Sequence, residues 1–309
     1  MSDRKQLVTV NGVDSEEGEV SCGVPQGSLL GPLLFLVYVN DIQLSINPDC
    51  KILLYADDTA LLYSHRDPTC ITRFLSQELE SCHDWLVDNK LSLHVGKTEF
   101  ITFGPKRKIA KVYENDHYVS CYGNKIKLSK TVKYLGVSLD SSLSGEAIVT
   151  TIAKKAGQRL KFLYRNKDCM SFDIKKTLSL ALIQCYLDYA SVGWFECLNK
   201  KLKNKMQVIQ NKIVRFIHGY PPRRSLVPQD FKRVGILKVE DRVKQLRLNH
   251  VFKIHMGLAP DFFCERFSRL NTRYGTRASR LDFFVPRVQG IESNTFFFQW
   301  GEGLECTPP

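Results

Sequence analysis

An α+β fold, an antiparallel sheet with packed helices followed by an all-helical second half, is predicted for this 309-residue chain from three observations. Short apolar runs bounded by turn residues fill the first 140 positions. Beyond Gly145 the apolar spacing changes to that of helices. Charge divides at the same place: residues 1–144 hold 15 Lys/Arg against 18 Asp/Glu, residues 145–255 hold 23 against 8, and residues 256–309 hold 6 against 6. A chain of this length, 43% hydrophobic and 25% charged, buries a sizeable core and reads as two or three domains.

The first informative element is the loop from Ser21. Gly23, Gly27 and Gly31 with Pro25 and Pro32 make it stiff and poor in side chains, so that a backbone or a nucleotide can approach closely. Leu33 to Val39 are expected to continue as a buried helix, too short to span a bilayer. Next, Ile52 to Tyr55 and Ala60 to Tyr63 read as two buried strands joined by a turn over Ala56, Asp57, Asp58 and Thr59. Two adjacent carboxylates in so apolar a segment are costly without a role. Hard oxygen donors at a hairpin tip suit Mg²⁺, which takes one or two carboxylates plus phosphates and water. A plain turn, which Asp favours anyway, is the competing explanation.

Apolar residues then recur at helical spacing from Ile71 to Leu86, which predicts an amphipathic helix over 70–88. Residues 91–94 and 99–103 read as short strands around Lys97, and a hairpin at Gly123-Asn124 leads through two more strands to Tyr134-Leu135-Gly136. In 146–165, Ile148, Ile152, Ala156, Leu160 and Leu163 share one face, while Lys154, Gln158, Lys161 and Arg165 fall on the opposite one. A second helix is expected over 172–189. A third carries Leu202, Met206, Ile209, Ile213 and Phe216 on one seam and stops at Gly219.

The basic block at 145–255 points to a polyanion partner, although many basic faces are only solvated surface. Ten cysteines without a Cys-x-x-Cys pair read as reduced thiols of an intracellular protein, nuclear or cytoplasmic. The polar start is unlike a signal peptide, and no run reaches transmembrane length.

The run Gly23-Val-Pro-Gln-Gly-Ser-Leu-Leu-Gly-Pro-Leu-Leu-Phe35, followed by Asn40-Asp41-Ile42 and then Tyr55-Ala56-Asp57-Asp58, closely resembles the reverse transcriptase of jockey-type retrotransposons without long terminal repeats. Residues 85–98 are similar to that family's fourth palm motif, and 133–140 to its primer grip. The two motifs together disfavour an RNA-dependent RNA polymerase. The resemblance implies a partial polymerase palm over 1–140, a helical thumb over 141–220, and a helical C-terminal extension with an irregular tail over 221–309. It also implies an RNA template, a DNA primer and dNTPs as partners, and two Mg²⁺ ions as cofactor. Membrane association is not expected.

By resemblance, Asp57 is a metal ligand with Asp58 beside it, and Gln26, Gly27 and Ser28 contact template and incoming nucleotide. Tyr55 lies beneath the nucleotide sugar, Lys97 protonates the departing pyrophosphate, and Tyr134, Leu135 and Gly136 grip the primer. Lys154, Lys161 and Arg165 would follow a phosphate backbone. Plainer roles compete: Gly27 or Ser28 as turn and cap residues, Tyr55 as a strand residue, Lys97 as an exposed loop lysine, and the basic stripe as the wet side of a helical bundle. The chain departs from the family in lacking an Ala-Phe-Asp-like strand before Ser21, since Asp3 and Asp14 stand in polar surroundings. It is therefore expected to be truncated, without fingers, first palm motif or endonuclease domain, and inactive alone. The alternative is a non-catalytic nucleic-acid-binding remnant of a decayed copy. A frameshifted tail beyond Gln299, without a packed partner, is also expected.

Overall fold

The structure, a computed structural model, describes residues 4–20, 27–115, 117–261 and 263. Gln26 and the tail beyond Gln299 lie outside the described residues. The chain divides into two compact units, one of residues 1–100 with 112–128 and one of 101–111 with 129–309. Helices and small antiparallel ladders make up both, as an α+β chain requires.

The first unit opens with a nested hairpin of β1 (Arg4–Gln6), β2 (Thr9–Val10), β3 (Val13–Asp14) and β4 (Gly18–Val20). Helix α1 (Gly31–Val39) follows, then β5 (Lys51–Tyr55), β6 (Asp58–Leu62) and the long helix α2 (Pro68–Asp88). Asp67 caps α2, its carboxylate accepting the Thr69 N–H at 3.0 Å, and Pro68 takes the first turn, where its missing N–H costs nothing. Ile52, Leu54 and Leu61 pack on Phe74, Leu75, Cys82 and Trp85 of α2, so one face of the β5–β6 ladder is buried. Buried Glu78 accepts the Asn47 N–H at 2.7 Å and fixes the turn that feeds β5. Helix α3 (Lys106–Glu114) crosses the boundary between the units in sequence, and β7 (Tyr118–Cys121) with β8 (Asn124–Lys127) closes the first unit around Val119, Cys121, Ile126 and Phe100.

Four expectations are corrected here. Helix α1 forms but is largely exposed: Leu33 is 58% exposed and Val37 69%, because among the described residues only Gly31 and Val39 of the helix are buried, with Phe35 half-buried, and the adjoining turn is its main neighbour. Residues 91–94 and 99–103 form no strands. Val95–Lys97 is instead a 3-10 turn, and Phe100 makes a single bridge to Leu128. The hairpin turn near 123 is Tyr122-Gly123, one residue earlier than read, since both turn residues take positive φ and Asn124 pairs with Cys121. The turn at the carboxylates is also tighter: Asp58 already pairs with Tyr55, leaving only Ala56 and Asp57 at the tip.

The second unit contains β9 (Thr131–Tyr134) and β10 (Val137–Asp140), then α4 (Glu146–Arg165). A helical run from α5 (Phe172–Ser179) to α6 (Cys185–Asp188) follows, and the helices α7 (Ser191–Trp194), α8 (Lys200–His218), α9 (Pro228–Val234) and α10 (Val239–His255) complete it. The predicted apolar faces of α4 and α8 meet in one core with Ile183, Leu187 and Phe195. Each fully buried aliphatic there is worth about 1.5–3 kcal/mol over its exposed state. Gly219 ends α8 in the left-handed region at φ +70°, where a side chain would strain. The run expected as one helix over 172–189 is interrupted by a π-helical turn, Leu180–Gln184, in which the Cys185 N–H reaches back five residues to Leu180. Buried Gln210 of α8 donates to Gln184 and to the Leu237 carbonyl, and Arg242 of α10 meets Asp188 at 3.0 Å. Among the described residues no helix is long and apolar enough to cross a membrane.

Candidate active site and nucleic-acid interface

The β5–β6 ladder sorts its residues by face, since residues directly opposite one another in an antiparallel pair share a side. Ile52 with Leu61, and Leu54 with Thr59, lie toward α2; Tyr55 with Asp58 lies on the open side. Tyr55 is 64% exposed, so it is not the buried strand residue that its neighbours suggest. At the tip Ala56 takes φ +52°, a left-handed conformation that costs an L side chain about 1–2 kcal/mol. That single inversion makes a two-residue turn possible without glycine.

Asp57 and Asp58 are both exposed, and neither carboxylate has a hydrogen-bond or ion-pair partner among the described residues. Their chemistry fits a hard divalent cation that draws its remaining ligands from phosphates and water. Two carboxylates are all the tip offers: among the described residues no group of three or more His, Cys, Asp or Glu is placed to hold a metal ion. Asp14 sits in the exposed β2–β3 hairpin, where it accepts the Thr9 hydroxyl at 2.6 Å.

The remaining expected residues of the first unit are near the surface. Gly27 has φ +78°, open to glycine alone without strain. Ser28 Oγ accepts the Gly31 N–H at 3.0 Å, so it caps the start of α1. Lys97 is exposed at the end of its 3-10 turn, and no ion pair joins it to Asp57 or Asp58 among the described residues. All seven described cysteines are free. Burial pushes the Cys82 thiol up to about 11, with neighbouring Cys121 and Cys50 adding to the rise, so it stays protonated at neutral pH.

In the second unit, Tyr134 pairs with Val137 and the turn between them is Leu135-Gly136, at φ +44° and +81°. Both positive angles match a two-residue primed turn, yet Leu is a poor occupant of that region. Tyr189, directly after α6, holds it there: its hydroxyl donates to the Leu135 carbonyl at 2.8 Å, and a Cβ on Gly136 would stand 3.5 Å from its ring. Downstream, Asp140 ties the strand to α4 by accepting the N–H groups of Ser144 and Gly145 and the hydroxyls of Ser142 and Ser144. Burial pushes its carboxyl up, but those donors outweigh it and hold the group below its ordinary value. On α4, Lys154, Lys161 and Arg165 are exposed opposite the buried face and lack ion-pair partners among the described residues.

Sequence reasoning passed over Lys155, Tyr186 and Tyr189. Their signal was weak, because Tyr186 and Tyr189 stand at ordinary helical spacing at the end of an apolar run and their placement depends on the π-helical turn. Asp140 could have been found from Asp-Ser-Ser-Leu-Ser-Gly ahead of a helix, a run of short polar residues typical of a capping turn.

Residues 3–139 match the family profile for reverse transcriptase (RNA-dependent DNA polymerase). Over 267 residues the chain is 25% identical to the RNA-directed DNA polymerase from mobile element jockey of Drosophila melanogaster, covering 83% of this chain and 28% of that protein. It is 28% identical over 257 residues to the jockey polymerase of Drosophila funebris, covering 79% and 27%. The probable RNA-directed DNA polymerase from transposon X-element of Drosophila melanogaster is 26% identical over 223 residues, 70% of this chain and 24% of that one. The chain thus spans about a quarter of the length of these relatives.

Proposed function

Through residues 3–139 this chain belongs to the reverse transcriptase (RNA-dependent DNA polymerase) family, a family of nucleotidyltransferases with relatives in jockey-type mobile elements, and from that premise we propose how it works on nucleic acid. The reaction is template-directed transfer of a nucleotide from a dNTP to a DNA primer on an RNA template. The observation that carries this reading is the hairpin tip, where Ala56 at φ +52° presents two adjacent carboxylates that have no ion-pair partner among the described residues. Backbone strain of about 1–3 kcal/mol tends to persist where a site needs it.

Asp57 and Asp58 would hold Mg²⁺, which when bound stabilises charge on the attacking 3′ hydroxyl and the leaving pyrophosphate. Tyr55, on the same open face as Asp58, supports the sugar of the incoming nucleotide. Gln26, Gly27 and Ser28 line the approach of template and dNTP, and Lys97 supplies a proton to the departing pyrophosphate. The Tyr134-Leu135-Gly136 turn grips the primer, while Lys154, Lys161 and Arg165 follow the phosphates of the duplex. On this reading residues 1–140 act as palm, 141–220 as thumb and 221–309 as a C-terminal extension.

A second reading is favoured by the donor set itself. Two metal ions need carboxylates from more than one strand, and among the described residues none joins Asp57 and Asp58. The 309 residues then bind primer and template without extending the primer. Both readings require binding, so the first test is the affinity for an RNA template annealed to a DNA primer as salt is raised. Affinity should fall steeply, because neutralised phosphates release counterions. Failure to bind at low salt rejects both.

A further inference from the structure

Asp188 and Tyr189 stand at the end of α6, and their neighbours leave each of them little freedom. The Tyr189 N–H donates to the Cys185 carbonyl at 3.0 Å, its own carbonyl accepts the Trp194 indole N–H at 3.0 Å, and the Asp188 carbonyl accepts the Ser191 hydroxyl at 2.9 Å. Directly after them Ala190 takes φ +50°, which an L side chain adopts only at a cost, so the corner is held against relaxation. Tyr189 spends its hydroxyl on the Leu135 carbonyl, and Tyr186, with the Lys155 ammonium 5.4 Å from its ring, lines the same side of the hairpin.

The Asp188 carboxylate ties this corner to the C-terminal helix. Its Oδ1 accepts the side-chain amide of Gln184, in the π-helical turn, at 2.8 Å; its Oδ2 accepts Arg242 of α10, whose Nε and Nη2 both stand 3.0 Å away. The remaining guanidinium nitrogen, Nη1, donates to Gln245 at 2.8 Å, so every nitrogen of the fork is occupied and its direction is set. Helix α10 is itself anchored by buried Val239 and Val243, and the Val239 N–H donates to Gln207 of α8 at 3.0 Å. A partly exposed ion pair adds little net stability, but charge-assisted bonds at both oxygens of one carboxylate fix its orientation.

We propose that Arg242 is a positioning residue for the Leu135-Gly136 turn. Through Asp188 it aims the Tyr189 hydroxyl, so that α10, whose arginine lies 54 residues beyond Asp188 in the chain, sets how firmly that turn is held. The proposal rests on the reading that the turn grips the primer, and it gives the C-terminal extension a part in that grip without any contact of its own to the strand.

The test compares the full 309-residue chain with Arg242→Ala, Tyr189→Phe, the double variant, and Arg247→Ala. The last removes another ion pair of α10, with Glu196, that involves neither Asp188 nor Tyr189. Amide exchange at Gly136 and Val137 should quicken several-fold in Arg242→Ala and match the wild type in Arg247→Ala, and Arg242→Ala should add nothing on the Tyr189→Phe background. Arg242→Lys keeps the charge but loses the fork, so it should fall between wild type and Arg242→Ala, and it carries the test if the alanine variant does not fold. With a fluorescent RNA–DNA primer-template read by anisotropy, Arg242→Ala should bind several-fold more weakly with the log–log salt slope of the wild type. A slope flattened by ~1 would make Arg242 a phosphate contact and overturn the proposal. Equal quickening of exchange in Arg247→Ala, or an undiminished effect of Arg242→Ala on the Tyr189→Phe background, overturns it as well. If the wild type binds no primer-template, the primer reading falls, and the exchange measurements still decide whether Arg242 holds the turn.

Discussion

Tyr189 and Leu135 stand 54 residues apart in the chain, and the hydroxyl of the first donates to the carbonyl of the second at 2.8 Å. The bond falls on a residue whose φ of +44° is costly for a branched side chain, so it acts on a turn that favours relaxing. We predict that Tyr189→Phe lowers unfolding free energy by about 1 kcal/mol and speeds amide exchange at Gly136 and Val137. Unchanged exchange would mean that the strand register alone sets the turn.

Gly136 and Gly123 allow a matched comparison. Both have φ +81°, but a Cβ at Gly123 meets nothing within 4 Å, whereas at Gly136 it meets the Tyr189 ring at 3.5 Å. That distance is ordinary contact, so backbone strain should dominate at both. Gly123→Ala and Gly136→Ala are expected to cost the same, about 1–2 kcal/mol each, in denaturant titration. A much larger loss at 136 would show that the ring cannot yield.

Asp140 sets a pH dependence. Its folded carboxyl titrates below the ordinary value, so the ionised form favours folding: the contribution is complete above about pH 4 and fades as pH falls through the folded value. Asp140→Asn should therefore destabilise by about 1.5 kcal/mol at neutral pH, with the gap to wild type closing in acid. A pH-independent gap would trace the loss to shape rather than charge.

The open donor set at Asp57 and Asp58 gives the sharpest functional expectation. The purified 309 residues should bind primer-template yet incorporate no dNTP in Mg²⁺, and a protein that also carries a strand-borne Asp of the Ala-Phe-Asp type should extend the primer. In that second protein Asp57→Ala should abolish incorporation while leaving Tm unchanged or slightly raised, as removing one of two adjacent charges relieves repulsion. Extension by the 309 residues alone would show that a further acidic residue completes the site.

Much of this was legible beforehand because the signals were periodic and local. Helix α4 begins and ends where its apolar spacing and Gly145 place it, and Gly219 stops α8 as a left-handed cap should. The Tyr55 to Asp58 tip was legible as a hairpin. The exposure of α1 was not, because an apolar run specifies a helix without naming its cover, and the described residues bury only Gly31 and Val39 and half-bury Phe35. The strands expected around Lys97 failed for a similar reason: single bridges and 3-10 turns leave no repeat to read. The Tyr189 contact lay beyond reach, since it joins two turns far apart in sequence through a helix of irregular pitch.

That irregular pitch makes helix length a setting of rotational phase. One additional residue in the turn Leu180–Gln184 leaves the axis running on but swings every later side chain by ~100°. Tyr186 and Tyr189 arrive at the hairpin with the correct azimuth only because of it. Deleting one residue there would yield a smoother helix whose hydroxyl misses Leu135. Insertions and deletions among relatives should accordingly be less tolerated within this turn than in the loops on either side, even though no residue in it touches nucleic acid in the proposed arrangement.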